Sequence, residues 1–92
     1  MYGTIARIKV KPGALEVIKE MEQHRPVGMV RSFVYQMDKD ANELMMVVLF
    51  KDKQSYFANA NSPEQDKEYS KLRKFLTSDP EWNDGEIVYD SL

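Results

Sequence analysis

From Tyr2 onward the chain alternates. Tyr2, Thr4, Ala6, Ile8 and Val10 fall on one side, and Gly3, Ile5, Arg7, Lys9 and Lys11 on the other. A period of two predicts a strand over Tyr2–Lys11, which Pro12-Gly13 ends. From Ala14 to His24 the period becomes helical. Ala14, Val17, Ile18 and Met21 share a stripe with Leu15 beside it, and Lys19, Glu20, Glu22 and Gln23 cover the outer side. Arg25-Pro26-Val27-Gly28 stops that helix. Met29–Met37 alternates again, Asp38–Asn42 is a polar turn, and Leu44–Phe50 returns as a third strand, so the pair reads as a hairpin. A second helical region follows in two pieces, Lys53–Asn59 and Pro63–Thr77. Ser62 is placed to cap the second piece, with Pro63 at its first position and Gln65 completing a capping box. Its inner stripe is Tyr69, Leu72, Phe75 and Leu76. Asp79-Pro80 breaks it, and Glu86–Asp90 is expected to form a short fourth strand.

The order strand, helix, strand, strand, helix, strand predicts an α+β, ferredoxin-like βαββαβ domain over residues 1–92. Its usual form is a four-stranded antiparallel sheet with the helices on one face. Such helices leave the second face of the sheet open, and that face should be polar in a monomer. Leu44-Met45-Met46-Val47-Val48-Leu49-Phe50 is instead apolar throughout, the pattern of a strand buried on both sides. A second copy laid sheet against sheet is the simplest cover, so a homodimer is expected.

Composition narrows the field. The 92 residues suffice for one domain, and a chain of that length buries only about 60–65% of its unfolded surface, which again favours association. Thirteen basic against fifteen acidic residues give a net charge of −2, and the basic stretch Lys67–Lys74 alternates with acids as a solvated helix face does. A nucleic-acid partner is not expected. No apolar run is long enough to span a membrane and no signal peptide is visible, so a cytoplasmic location is the default. With no cysteine and one histidine there is neither a disulfide framework nor a ligand set for a metal.

Taken together these residues resemble the antibiotic biosynthesis monooxygenase-like family of dimeric α/β barrels. The likeness spans nearly the whole chain. It is carried by the first strand running into Val10-Lys11-Pro12-Gly13, by the Pro26-Val27-Gly28 step into the second, and by the third flowing into Phe50-Lys51-Asp52-Lys53-Gln54-Ser55-Tyr56. Asn61-Ser62-Pro63 and Asp84-Gly85-Glu86 also fit. The resemblance implies a cofactor-independent monooxygenase acting on a small aromatic or acidic organic compound. In such enzymes an activated phenol or similar acid loses a proton in a dry pocket between helices and sheet, and the carbanion meets dioxygen directly. Tyr56 falls where family members often carry a tyrosine. Phe50 stands where they often carry tryptophan, and Met46 where an asparagine is expected. The haem-degrading branch would need a histidine on the second helical region, which this chain lacks, so no haem is expected. The alternative is a non-catalytic or regulatory homodimer of the same fold that binds a small ligand.

Candidate chemistry follows from these readings. Tyr56, with Asn59 one helical turn later or His24 on the first helix, is placed to supply polar contacts for catalysis. His24 is the sole side chain that ordinarily titrates near neutrality, and could equally be a helix-end residue complementing the dipole. Arg7 and Arg31, on strands, could anchor an anionic group or bridge carboxylates at the seam. Tyr35, Phe50, Phe57 and Trp82 offer planar surface to a substrate pocket or fill the core. Met21, Met29, Met37, Met45 and Met46 would make an adaptable interior.

Overall fold

The computed structural model describes residues 1–91. The elements run β1 (Tyr2–Lys9), α1 (Leu15–Met21), β2 (Met29–Met37), β3 (Asp40–Phe50), α2 (Lys53–Ala60), α3 (Pro63–Arg73) and β4 (Glu81–Glu86). The strands form one antiparallel sheet in the order β2-β3-β1-β4, with the three helices on one face. This is the ferredoxin-like arrangement expected from the pattern, the second helical region being α2 and α3 together. No helix among the described residues is long and apolar enough to cross a membrane.

Several boundaries differ from the sequence reading, and three have a clear physical cause. The fourth strand lies at Glu81–Glu86, not Glu86–Asp90. Leu76 bridges Val10 as soon as the chain leaves α3, and Thr77 N donates to Lys9 O at 2.9 Å. The chain then runs antiparallel down β1, from Glu81 opposite Arg7 to Glu86 opposite Tyr2. One further bond, Ile87 N to Met1 O at 2.9 Å, follows, and Val88 and Tyr89 are exposed. Pairing geometry thus overrides the stronger β propensity of Ile87-Val88-Tyr89. The third strand begins at Asp40, four residues early. Only Asp38 and Lys39 form the loop, while Gln36 Nε2 donates to Ala41 O at 3.0 Å and Asn42 N to Asp40 Oδ1 at 2.9 Å. The first helix ends at Met21, so His24 sits in the exposed turn beyond it; backbone bonds from Gln23 N to Glu20 O and from His24 N to Met21 O tighten the exit. The first strand ends at Lys9 and α3 at Arg73.

The Ser62 cap forms, its hydroxyl accepting from Gln65 N at 3.1 Å. The reciprocal half of the box does not. Ser62 N already donates to Asn59 O, so the Gln65 side chain turns instead to Asn59, accepting from its Nδ2 at 3.3 Å. That contact clips the end of α2 to the first turn of α3.

The core occupies one end of the covered face. Ala6 and Ile8 from β1, Val10 just beyond it, and Leu44 and Met46 from β3 pack on Ala14, Ile18, Leu72 and Leu76. At the other end α2 is held by rings rather than by aliphatic burial. Tyr56 meets Tyr2, Phe50 and Phe57 edge-on, with centroids 5.3, 5.7 and 5.0 Å apart. The turn before β2 packs against the start of α2 with Gly28 at φ +88°; a Cβ there would lie 2.8 Å from Ser55 Cβ, so both the conformation and the space require glycine.

The open face carries one register row of Phe33, Val47, Ile5 and Asn83, and beside it Tyr35, Met45, Arg7 and Glu81. Phe33, Tyr35 and Ile5 are 41%, 58% and 48% exposed. A bulge at Val30 sets this parity: Met29 opposes Phe50 on the covered face, whereas Arg31, two residues on, opposes Leu49 on the open one.

Two substitutions test this packing. Ile18→Ala, at a fully buried core position, should destabilise the chain by about 2–5 kcal/mol in urea unfolding. Gly3→Ala should be at least as damaging, since its Cβ would fall 1.8 Å from the Val48 carbonyl oxygen across the β1–β3 ladder. A Gly3→Ala protein as stable as the parent would show that this close strand approach is wrong.

Candidate functional site

Because the core fills only one end of the covered face, a cavity of about 490 Å³ remains at the other, roofed by α2, the α2–α3 junction and the exit of α1. Its floor is the inward row where β3, β1 and β4 lie side by side, with Val48, Thr4 and Asp84 in register. Met29, Met46, Phe50, Ile18, Met21 and Leu72 make the walls apolar. Tyr69 of α3 and Trp82 of β4, with ring centroids 6.0 Å apart, complete one side.

Three polar groups converge there. Tyr56 Oη donates to Asp84 Oδ1 at 2.8 Å across the sheet-to-helix gap. Burial first, and the adjacent Asp84 carboxylate second, push the Tyr56 phenol up to about 12. Thr4 lies close enough to draw that value back a little, yet its own Oγ1 makes no hydrogen bond of ordinary geometry while the residue is only 5% exposed. A buried hydroxyl without a partner is costly. Glu22, at the C-cap of α1, also reaches the cavity; burial raises its carboxyl above the usual range, and a hydrogen bond with Ser32 partly offsets the shift.

Of the residues singled out in the sequence, Tyr56, Asn59, His24, Phe50 and Trp82 line the cavity. Tyr56, held neutral, is a donor and not a base. Asn59 is engaged with Gln65, and His24 is exposed at the rim. Arg7, Arg31 and Tyr35 lie on the opposite face of the sheet, placed there by strand parity and the Val30 bulge, so they are not pocket residues. Arg7 bonds through Nε to the buried Glu43 and reaches Glu81 at 3.7 Å, while the Arg31 guanidinium stacks over Phe33 at 5.1 Å. Phe57 stands outside the cavity against Tyr2, with the Lys53 ammonium 6.0 Å from its ring. Thr4, Glu22 and Asp84 were missed. Inward alternation along β1 did point to Thr4, but a threonine in a strand carries no chemical signal by itself, and Asp84 stood out only as part of the Asp84-Gly85-Glu86 run. Among the described residues no group of three or more His, Asp and Glu converges as a metal site would require.

Structural comparison places the fold among known proteins. A variant of SnoaB, a cofactor-independent oxygenase from Streptomyces nogalater, superposes with a TM-score of 0.82 at 16% identity, covering 98% of this chain and 95% of that one. A protein from Mycobacterium tuberculosis matches at 0.76 with 13% identity over 99% and 98% of the two chains. A conserved protein from Methanosarcina mazei Go1 matches at 0.75 with 21% identity over 91% and 89%. Neither a protein-family model nor a curated protein sequence matches the chain. At these identities the likeness establishes the fold.

The Tyr56 environment has a direct spectroscopic consequence. Burial disfavours the phenolate, so the neutral form is favoured in the folded state; the associated stability is full below the ordinary tyrosine value near 10 and is lost as pH rises through about 12. Absorbance at 295 nm should show one of the five tyrosines ionising late, and Tyr56→Phe should remove that step. Loss of a tyrosine that titrates near 10 would place the phenol in water.

Proposed function

We propose that the cavity is the site of a cofactor-independent oxygenation of a small hydroxylated aromatic compound. The observation that carries this reading is the Tyr56–Asp84 hydrogen bond beside the unpartnered Thr4 hydroxyl on the floor of an apolar cavity. An apolar pocket with a few convergent polar groups is what a small-molecule site requires. Its likeness in fold to SnoaB points the same way.

The chemistry uses each group. A carboxylate of the lining takes a proton from the activated carbon of the substrate; Glu22, its basicity raised by burial, suits this better than an ordinary carboxylate. The charge left behind delocalises onto the substrate oxygen, which Tyr56 Oη stabilises when its one proton turns from Asp84 to the substrate. The carbanion gives its electrons to dioxygen and a C–O bond forms as a hydroperoxide. Cleavage of the O–O bond, with release of water, leaves a carbonyl. One dioxygen is consumed, and the substrate supplies the reducing electrons. Apolar walls keep the carbanion from being reprotonated by bulk water.

A second reading, a binding protein without turnover, is favoured by one feature: Asn59 is already committed to Gln65, leaving fewer free donors in the roof. Oxygen uptake with a panel of phenols, quinols and related carbon acids separates the two. In an oxygenase, Tyr56→Phe should lower turnover about 10²-fold with the fold intact. In a binding protein it should cost about 1 kcal/mol of affinity or less, and no member of the panel should consume oxygen.

The open face of the sheet supports pairing of two copies. Ile5, Phe33, Tyr35, Met45 and Val47 form a contiguous apolar patch rimmed by the Arg7, Glu43 and Glu81 ion pairs, and a two-fold axis would lay the patch on itself. Sedimentation at micromolar concentration should give twice the 10.7 kDa chain mass. Val47→Lys, at the centre of the patch, should yield a folded monomer, because a lysine buried there would have no partner. A monomer in the parent protein would remove this proposal.

A further inference from the structure

We propose that the cavity selects a cation: a planar hydroxylated aromatic compound that carries an ammonium or similar positive group. The inference rests on the reading of the cavity as a ligand site and goes beyond it by assigning the ligand's charge. Four carboxylates line the cavity, those of Glu22, Asp66, Glu68 and Asp84, and no lysine or arginine does. Lys71 partly neutralises Glu68, at 3.4 Å. Among the described residues no cationic side chain comes within ion-pair distance of Glu22, Asp66 or Asp84, and Arg7 and Arg31 are on the far face of the sheet. Apolar walls concentrate such a field rather than dissipating it, so an anion is opposed and a cation drawn in.

Two features besides the acids point to a ligand. Thr4, more than nine-tenths buried, lies on the cavity floor with no partner of ordinary geometry for its hydroxyl. The Tyr69 and Trp82 rings flank the same space beside Glu68, offering electron-rich faces to a cation. A neutral substrate that gives its proton to Glu22 becomes a carbanion facing the remaining carboxylates of the cavity. A cationic substrate that loses the same proton becomes a net neutral zwitterion. Positive charge on the substrate therefore removes the main electrostatic obstacle to forming a carbanion in this cavity.

Trp82 is the sole tryptophan and lies in the wall, so its fluorescence reports occupancy of the full-length chain. Tyramine, 4-ethylphenol and 3-(4-hydroxyphenyl)propionate share one ring and differ in charge. Tyramine should bind at least tenfold tighter than 4-ethylphenol, with the propionate weakest. Asp66→Asn combined with Asp84→Asn should compress the tyramine preference several-fold, whereas Glu16→Gln, an exposed change on the outer side of α1, should leave it as it is. Equal binding of all three, or tighter binding of the propionate, overturns the charge assignment while leaving the cavity as a ligand site. No fluorescence change and no calorimetric heat with any of the three at millimolar concentration overturns the ligand-site reading, and the charge assignment with it.

Discussion

The structure turns on β1, a central strand paired with β3 from Tyr2 to Lys9 and with β4 from Tyr2 to Arg7. Its eight residues fix the register of β3 and β4 together, because each pairs with it directly. Val48, Thr4 and Asp84 come into one row only through that double pairing, although they are 44 and 80 positions from Thr4 in sequence at most; no local preference brings them together. Gly3 shows how tight the arrangement is, with the Val48 carbonyl occupying the place of its missing side chain. The same strand also ends the sheet. Once Glu86 has paired with Tyr2, the ladder has run its course, and the apolar residues beyond Ile87 are left outside it.

The legible parts of the fold were those governed by local periodicity and by caps. The alternation of β1, the stripe of α1, the Ser62 cap and the break between α2 and α3 are all properties of a few neighbouring residues. What the pattern misjudged depends on partners distant in sequence. Glu86–Asp90 has the composition of a strand, but Glu81–Glu86 has the position of one. Gln65 fits a capping box, but Asn59 holds the competing bond. Arg31 and Tyr35 alternate with their neighbours as a pocket wall could, but the bulge at Val30 decides which face they occupy. One extra residue in a strand exchanges its two faces, and no residue in Met29–Arg31 announces it.

The cavity was legible in outline and not in its chemistry. Tyr56 could be found because it follows the third strand at the start of a helix, and the resemblance to a family drew attention to it. Its state could not be read from the chain. A tyrosine becomes a base or a fixed donor according to burial and neighbours, and here burial together with Asp84 holds the proton on. The base-like groups of the lining are carboxylates, supplied by the helix end at Glu22 and the edge strand at Asp84. Neither looks unusual among fifteen acidic residues.

Charge is divided between the two faces of the sheet, and the division has consequences for both. On the open face Arg7 serves Glu43, whose carboxylate would otherwise be buried without a counter-charge; removing Arg7 would leave an isolated ion, the costly half of such a pair. Arg7 and Arg31 are thus spent on the open face, where ion pairing and ring stacking hold them at the edge of the apolar patch. Neither reaches the covered face, where, among the described residues, Glu68 is the one cavity carboxylate with an ion pair, to Lys71. The same strand parity that gives the outer patch its charged rim therefore gives the cavity its negative field, and a single change of register in β2 or β1 would alter both at once.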